Sequence, residues 1–556
     1  MKMNIIKYLM LIASVATLNS CSDDLEEVIY SQLVTSNAFV SESDASAAID
    51  GIYSPLITVT HRAIFYLNDM TTDACYREQM DCELLNEASM SSNADVTTSW
   101  SGYYSMVARA NTAIDYIPLI ADEEFDDDED AEAGALEKAA YLAQAYFLRA
   151  FAYYQLTDLF YTVPLVTDSQ IEVTSVVSQS SITEIEDQIK SDLDIAKLSL
   201  PLSYAATTDA GRATYGAALG LLARVHMRAA GRLRQSGGDA SSEWTSALKY
   251  VNEIMELEGS TYSLQAKVWD IFDPTTDAAL YNNEIIFAVR ASGDIASGAS
   301  DVGMNFTPWT YDMGWDLFSI PLETVWKFDQ DDERFSVLMV TDFRNVYDAN
   351  AAQPRYYKIP ETIEDVNTVY EVTDEKITYE LDAGYTQKYK YLNPGTYNYR
   401  TNNNVCILRY ADIILCKAEI LNELYGPTQE AVDLINRIRE RAFGHSSKNL
   451  VLSDYSNTDA LRRAICDERL LELNNEGVRR PDLIRMGLWK ETMEDYIAAI
   501  KLKSEWMEAN AESATDLSSM WLVYPQDLTE NDIRRYFPVP KTESDINPDL
   551  LNCRDF

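Results

Sequence analysis

A helical hairpin towards the C-terminus constrains the fold of this 556-residue chain more strongly than any other feature. Apolar side chains recur at helical spacing from Ile407 to Tyr425, so we predict one amphipathic helix that already includes the run VCIL. Gly426 and Pro427 then interrupt the pattern, because Gly tolerates the conformation after a helix and Pro suits a first turn. A second apolar stripe follows and ends at Ala442. Two consecutive helices with facing stripes form an antiparallel hairpin.

Two earlier segments repeat this arrangement. The predicted helix pairs are 136–160 with 182–198, and 213–230 with 244–257. The leading helix of each hairpin carries small or apolar residues five positions apart. These are Ala145 and Ala150, Ala218 and Ala223, and Ile413 and Ala418. Such positions let neighbouring helices approach closely, which is typical of tetratricopeptide-like stacking.

The segment 262–403, between the second and third hairpins, is richer in turn residues and β-formers. Its run IIFAV at 285–289 is typical of a buried strand. Tyrosines alternate on both sides of an Asn-Pro-Gly turn, which predicts a two-stranded hairpin over 388–404. The predicted fold class is therefore mainly α: tetratricopeptide-like helical hairpins with an irregular, partly β, loop-rich insert. The hairpins occupy 136–257 and 404–505.

The region before the first hairpin is predicted to contain two further helices, at 43–57 and 100–117. Between them, residues 66–99 form a polar stretch without clear periodicity. Loops of that length are more often functional than accidental.

Charge excludes one large class of partners. The chain has 45 Lys and Arg against 89 Asp and Glu, a formal net charge of -44, so it repels phosphate backbones and we expect no nucleic-acid partner. The acidic run 123–134 lacks the ligand spacing of an EF-hand, which favours a solvated loop over a calcium site. The 7 Cys show no C-x-x-C spacing and the 3 His are scattered. We expect no metal and no cofactor, and leave open whether Cys75 and Cys82 pair.

The N-terminus indicates the compartment. Residues 1–20 contain lysines followed by an apolar run that is too short to span a bilayer, as in a signal peptide. The next residue, Cys21, makes this segment resemble a bacterial lipoprotein signal, in which the Cys is lipidated. Residues 21–37 then form an acidic linker that resembles the surface-export signal of Bacteroidetes lipoproteins, although a plain solvated linker fits those residues nearly as well. The main domain is predicted over 38–556.

The region 404–487 also carries a family pattern. Its runs LRYADIILCKAE, LINRIRERAFG and ERLLELNNEGVRRPDLIRMG are similar to the C-terminal signature of the SusD/RagB family of outer-membrane nutrient-binding lipoproteins. The closing PVPKTESDINPDLLN, with Asn547 and Pro548, also resembles the family, whereas Pro481 departs from it. The matched positions are Arg409, Tyr410, Ala411, Asp412, Glu419, Asn436, Arg439, Arg441, Glu468, Arg469, Glu472, Leu473, Glu476, Gly477, Arg479, Asp482, Leu483, Arg485 and Gly487.

This resemblance implies a binding protein and not an enzyme. It would be held in the outer membrane by its lipid anchor, face the cell exterior, capture glycans and deliver them to a TonB-dependent SusC-like transporter. Peptide capture of the RagB kind is the alternative within the binding class. A glycoside hydrolase is the alternative from another class, although the sequence has no G-x-S-x-G, H-E-x-x-H or P-loop motif.

The candidate ligand-binding residues lie in an aromatic run of the insert. Asn305, Trp309, Tyr311 and Trp315 combine flat rings, which suit the C–H faces of sugars, with a polar group for hydroxyls. A core-capping role for the tryptophans is equally compatible with these residues. The family resemblance implies, in addition, contributions from the segment around the second helix. Its candidates are Tyr76, Arg77 and Trp100.

Three carboxylates offer the strongest argument for an enzyme. Glu468, Glu472 and Glu476 follow one another at four-residue spacing, which would place them on one side of a helix. Two carboxylates in a cleft can hydrolyse glycosides as acid and base. Arginines of the same segment would neutralise them, however, and ion pairs between packed helices are the interpretation we favour. The arginines are Arg469, Arg479, Arg480 and Arg485.

Overall fold

The architecture is an array of long helices into which a strand-containing insert is set. The computed structural model describes residues 38–75, 90–126, 130–170, 177–204, 209–273, 282–291, 302–307, 315, 317–340, 342–344, 355–358, 371–372, 377–380, 383–389, 403–510 and 534–553. The long helices are α1 (Glu42–Tyr53), α2 (Ala94–Tyr116), α3 (Ala131–Phe160), α4 (Ile182–Ala196), α5 (Tyr215–Gln235), α6 (Ser241–Met255), α7 (Tyr410–Tyr425), α8 (Gln429–Phe443), α9 (Thr458–Glu472), α10 (Arg479–Met486) and α11 (Trp489–Asn510). Short helices lie at Leu56–Thr60, Trp269–Phe272, Val302–Phe306, Leu322–Val325, Glu333–Leu338 and Lys541–Ile546.

The three predicted hairpins are confirmed as α3 with α4, α5 with α6, and α7 with α8. They stack in sequence, because α4 packs on α5 and α6 packs on α7. Polar residues begin the helices where the apolar stripes start. The Asp130 carboxylate caps α3, and Ser181 and Glu184 form a capping box at α4. The mainly α, tetratricopeptide-like fold class is thus confirmed.

Helix α5 lies at the centre of this array, and two glycines allow close contacts there. A Cβ on Gly220 would lie 2.1 Å from the Leu408 side chain. A Cβ on Gly231 would lie 2.5 Å from the carbonyl oxygen of Arg485. A side chain at either position would therefore push away a packed neighbour. These contacts bring the strand Val405–Arg409 and α10 onto the same central helix.

The first part of the predicted third hairpin is wrong. Residues Val405–Arg409 form a strand, and α7 begins only at Tyr410. The strand pairs antiparallel with Ile285–Val289, with Phe287 opposite Leu408 and Val289 opposite Val405. The run VCIL fits a helical stripe and a buried strand equally well by periodicity, and the distant partner strand decides between them. The predicted strand at 285–289 is confirmed.

The strands of the insert, together with β9 directly after it, form small sheets. They are β1 (Ile285–Val289), β2 (Ile320–Pro321), β3 (Met339–Val340), β4 (Asp342–Arg344), β5 (Arg355–Lys358), β6 (Glu371–Val372), β7 (Ile377–Glu380), β8 (Ala383–Thr386) and β9 (Val405–Arg409). The sheet orders are β1-β9, β2-β8-β3 and β4-β5-β7-β6, and only the β5–β7 pair is parallel. Most of the hairpin predicted over 388–404 lies outside the described residues.

The stretch predicted as polar and irregular contains a buried helix. Residues His61–Asp69 form a π-helix, in which Phe65 and Leu67 are fully buried. Helix α2 also starts earlier than predicted, at Ala94. Residues 76–89, between these elements, lie outside the described part of the chain. Long π-helices are rare and often mark functional sites. The contacts of this segment with the insert are therefore candidates for a functional role.

Candidate ligand-binding site

An aromatic cluster forms the base of the candidate site. Its five rings have centroid separations between 4.7 and 5.9 Å, in edge-on and tilted arrangements. Such arrangements suit the quadrupoles of aromatic rings. We call the cluster the aromatic base; it consists of Phe65 and Tyr66 from the π-helix and Phe306, Phe318 and Tyr389 from the insert. The base therefore joins the helical array to the insert.

The predicted binding run is attached to this base at both ends. The amide of Trp315 donates to the carbonyl of Met304 at 2.7 Å, and the amide of Phe318 donates to the carbonyl of Asn305 at 3.0 Å. The described residues on the two sides of 308–314 are thus hydrogen-bonded to each other. The Trp315 side chain is 36% exposed and is one of the exposed large hydrophobic residues of the described chain. Trp309 and Tyr311 lie outside the described residues.

Two predicted site residues are in the core. Asn305 is 4% exposed, and its backbone carbonyl closes the loop, so the residue acts through its main chain. Trp100 is also 4% exposed and packs its ring against Tyr104 and Phe160, at 5.0 and 4.9 Å. Helix α2 extends further than predicted and turns this tryptophan inward. These positions correct the expectation that both side chains face a ligand.

The other predicted candidates follow directly after a well-anchored segment. Tyr76 and Arg77 lie outside the described residues. Just before them, the Thr324 hydroxyl donates to the carbonyl of Asp73 at 2.5 Å, and Lys327 pairs with the Asp73 carboxylate at 3.1 Å. The chain therefore enters the 76–89 segment while bound to the insert. This contact brings together the two parts of the sequence from which candidates were predicted.

A buried ionic network holds the three carboxylates that suggested an enzyme. Glu472 is fully buried and lies 2.6 Å from Arg409 and 3.2 Å from Arg334, with Arg441 as a third partner. We call this the ionic network. Its cations are Arg334, Lys388, Arg409, Arg439 and Arg441, and its carboxylates are Glu284, Asp332, Glu468, Glu472 and Glu476. Each cation thus has a counterpart among the carboxylates.

The predicted arginine partners of these carboxylates are wrong, although ion pairing itself is confirmed. Arg469 pairs with Asp412 and Asp482 at 2.7 and 2.6 Å. The other predicted arginines also bind elsewhere: Arg479 to Asp73, Arg480 to the carbonyls of Arg534 and Arg535, and Arg485 to Glu419. In addition, α9 ends at Glu472, so Glu476 is not on the same helix. The true partners come from distant segments.

The electrostatics of the ionic network disfavour acid–base catalysis there. Burial raises the pKa of Glu472, but the guanidinium groups of Arg441 and Arg409 outweigh burial and hold this pKa well below its usual range. A glycosidase needs one carboxyl that is protonated near neutral pH and reaches the substrate. Glu468, Glu472 and Glu476 are at most 5% exposed. They are suited to holding elements together.

Other polar groups give little indication of metal chemistry. Among the described residues, no group of three or more His, Cys, Asp or Glu is placed to hold a metal ion. Asp130, from the acidic run, caps α3, and residues 127–129 of that run lie outside the description. Cys406, Cys416 and Cys466 are buried. Within the described ranges, no helix combines the length and apolar content needed to cross a bilayer.

Sequence reasoning missed most of the aromatic base. Tyr389 belongs to the hairpin predicted over 388–404, and it is 1% exposed with its hydroxyl donating to the carbonyl of Asn475 at 2.8 Å. Tyr66 is the first residue of the stretch predicted as irregular, and Phe65 directly precedes it. Their signal is the apolar run AIFYL, which is too short for periodicity to separate a helix from a strand.

Comparison with known families gives matches over both halves of the chain. A family model described as "SusD family" matches residues 318–553. A second, described as "Starch-binding associating with outer membrane", matches residues 27–227. A curated relative, SusD-like protein P25 of Formosa agariphila, is 26% identical over 522 residues, which cover 88% of this chain and 91% of the relative.

Solved structures share the fold. A SusD homolog from Bacteroides thetaiotaomicron superposes with a TM-score of 0.70 at 21% identity, covering 94% of this chain and 98% of the homolog. Surface glycan-binding protein A from the same species, solved in complex with laminarihexaose, gives a TM-score of 0.65 at 19% identity. That match covers 92% of this chain and 99% of the other.

Proposed function

This chain belongs to the SusD family, and from that premise we propose that it binds glycans at the cell surface. In this proposal Cys21 carries the lipid that anchors the protein in the outer membrane, and the binding domain faces the exterior. Captured glycan passes to a TonB-dependent transporter of the SusC type. The protein itself performs no chemistry on the glycan.

The observation that carries the proposal is the exposed residue Trp315, whose backbone is bonded to Met304 close to Phe306 of the aromatic base. The backbone bonds at Met304 and Asn305 fix where the loop leaves and rejoins the core. A ring on such a fixed attachment is largely pre-ordered, so less conformational entropy is lost when a ligand stacks on it. Exposed, flat apolar rings suit the C–H faces of pyranose sugars. We place the glycan on Trp315, with Trp309 and Tyr311 beside it.

The relatives guide the choice of glycan. One structural neighbour was solved with laminarihexaose, and another is described as a laminarin-binding SusD-like protein. The second family model is described as starch-binding. Neutral gluco-oligosaccharides of the laminarin and starch types are therefore the first ligands to test. Tyr76 and Arg77 remain proposed contributors because their segment starts at the insert.

Calorimetry tests the proposed site. Titrating full-length protein in detergent with laminarihexaose and maltohexaose should give saturable binding to at least one of them. Trp315→Ala and Trp309→Ala should each weaken that binding by roughly tenfold or more, because each removes a stacking surface. Tyr425→Ala is the matched control, since Tyr425 is 65% exposed at the end of α7, outside the insert. Unchanged affinity in both tryptophan variants would reject the site.

The two alternatives have separate readouts. Peptide capture, as in RagB-type proteins, predicts that a peptide library saturates the protein whereas the glycan panel does not. A glycoside hydrolase predicts shorter oligosaccharides after prolonged incubation. The ionic network argues against this last alternative, because its carboxylates are buried and paired with cations.

Anchoring and delivery need tests in cells. Cys21→Ala should release the protein from the outer membrane, and external protease should cleave the anchored wild type on intact cells. Purification from solubilised outer membranes should also recover a TonB-dependent transporter. Preparations that never contain such a transporter would contradict the delivery step while leaving glycan binding intact.

A further inference from the structure

A second pocket lies in the helical array, formed by elements other than the loop around Trp315. Its volume is about 480 Å³, within the range of roughly 300–1,000 Å³ typical of small-molecule sites. The ends of α3 and α5 and the start of α4 form its walls, with α10 below. The C-terminal segment closes one side, because the amide of Phe537 donates to the carbonyl of Leu159 at 2.8 Å.

The arginines line this pocket, whereas the carboxylates that pair with them lie outside its lining. Four arginines line it, Arg228, Arg232, Arg485 and Arg535, and none of its described lining residues carries a carboxylate. The counter-charges stand behind the guanidinium groups: Glu186 binds both ends of Arg232, at 2.8 and 2.6 Å, and is 1% exposed. A ligand in the pocket would therefore be closer to the cations than to their partners.

One guanidinium in this wall is incompletely satisfied. Arg228 donates through Nη1 to Asp158 and through Nε to Glu186, both at 3.3 Å, which is long for charged pairs. Its Nη2 is buried and has no hydrogen-bond partner within the described structure. A buried donor without a partner is unfavourable, and a nearby anion would reduce that cost.

The aromatic part of the wall carries backbone strain. Tyr161 has φ 67° and ψ -75°, a conformation that non-glycine residues rarely adopt. Its ring lies 4.8 Å from that of Tyr536, and both line the pocket. Strained backbone persists only where the surrounding structure imposes it, and it concentrates at ligand sites. Here the strain sets a tyrosine pair beside the arginines.

We propose that this pocket binds a small carboxylate-bearing molecule, with its carboxylate towards Arg228 and Arg232 and its flat or apolar body against Tyr161 and Tyr536. An acidic sugar and a peptide carboxylate share the required chemistry. This site is independent of the glycan surface proposed at Trp315.

Paired probes test the proposal and distinguish an acidic sugar from a peptide carboxylate as the ligand. Ligand-observed NMR titrations of the full-length protein would compare glucuronate with glucose, and N-acetylphenylalanine with its amide. In at least one pair, the carboxylate should bind saturably and its neutral analogue should not. Saturation by glucuronate alone indicates an acidic sugar, and saturation by N-acetylphenylalanine alone indicates a peptide carboxylate. Either result supports the pocket.

A charge placed at the rim tests the location. Ser236 lines the pocket, is exposed and lies at the end of α5, so replacing it leaves every ion pair in place. Ser236→Glu should weaken binding of the carboxylate roughly tenfold through like-charge repulsion, whereas the neutral Ser236→Gln should not change it. Trp315→Ala should also leave it unchanged, which distinguishes this site from the glycan site. Equal affinity for neutral and charged probes, no saturation by either carboxylate, or equal effects of the two Ser236 variants would overturn the proposal.

Discussion

Two regions connect the insert to the helical array, and they do so with opposite chemistry. The ionic network joins the insert to α9, because Arg334 pairs with Glu468 and Glu472 at 2.7 and 3.2 Å. Lys388 adds a hydrogen bond to the backbone carbonyl of Glu472 at 3.0 Å. The aromatic base joins the π-helix to the insert through ring contacts. The first region is sealed and charge-balanced. Trp315, which is 36% exposed, lies in the chain between two residues of the second region, Phe306 and Phe318.

The difference indicates how one fold separates stability from binding. Buried ion pairs depend strictly on their partners, because removing one member leaves an uncompensated charge in a low-dielectric interior. Aromatic packing depends on area and tolerates exposure at its edge. A ligand-binding surface has to adapt to its ligand. It is therefore better supported by the aromatic base than by the ionic network. Four variants test this contrast between the ionic network and the aromatic base.

The largest effect is expected inside the ionic network. Glu472→Gln removes a fully buried charge while Arg334, Arg409 and Arg441 stay, so unfolding should become easier by about 3–5 kcal/mol. Denaturant titration would measure this change. The control is Glu430→Gln, an exposed partner of Lys417 at 3.1 Å, for which about 0–1 kcal/mol is expected. Similar losses for the two variants would mean that the network contributes no more than a surface pair.

The second largest effect on stability is expected at Asp69, where the π-helix of the aromatic base meets the ionic network. Asp69 ends the π-helix, accepts the amide of Gly477 at 2.8 Å, and faces Glu476 and Lys388. Burial, with the Glu476 charge, raises the pKa of this carboxyl to about 8, although the Gly477 amide opposes the shift. The folded state therefore keeps the proton while the unfolded chain releases it near pH 4. Stability from this group is complete below that pH and is lost as pH rises towards 8.

Asp69→Asn removes this titration and keeps an acceptor for the Gly477 amide. The variant should thus gain stability over the wild type by about 1.4 kcal/mol per pH unit above pH 4, on the order of 3 kcal/mol by pH 6. Denaturation at pH 4, 5 and 6 would measure the difference. A difference that stays constant over this range would show that Asp69 is ionised in the folded protein.

Whether an element of this protein can be predicted from the sequence depends on how far apart along the chain its interacting residues lie. The hairpins followed from local apolar stripes and from the Gly426-Pro427 break, so they were predicted nearly to their ends. The strand at Val405–Arg409 was missed because its partner, Ile285–Val289, is more than a hundred residues away. The cation partners of Glu472 were missed for the same reason: Arg334 and Arg409 come from other segments.

The candidate site was predicted in outline but not side chain by side chain. Residue type alone marked the aromatic run at 305–315, and the structure adds that its ends are joined on a buried base. Burial cannot be read from residue type. Trp100 and Trp315 look alike in sequence, yet one is 4% and the other 36% exposed. A matched pair of tryptophan substitutions therefore provides the next test.

Trp100→Phe should change stability and leave binding unaffected. The smaller ring opens a gap against Tyr104 and Phe160, for which about 1–2 kcal/mol of lost stability is expected. Denaturant unfolding would measure this loss, and calorimetry on the folded variant would measure the affinity for laminarihexaose or maltohexaose. A loss of affinity without loss of stability would return Trp100 to the ligand surface.

The smallest stability effect is expected at Trp315, where the effect on binding is largest. Because a third of this side chain is already exposed, Trp315→Ala should cost no more than about 1 kcal/mol of unfolding free energy. A loss above about 2 kcal/mol, with unchanged glycan affinity, would mean that Trp315 caps the hydrophobic core. That outcome would assign the ring to the aromatic base as a structural member, and the ligand surface would then have to be sought on Trp309 and Tyr311. A small loss together with weakened binding would instead establish that the aromatic base supports a surface it does not need for its own stability.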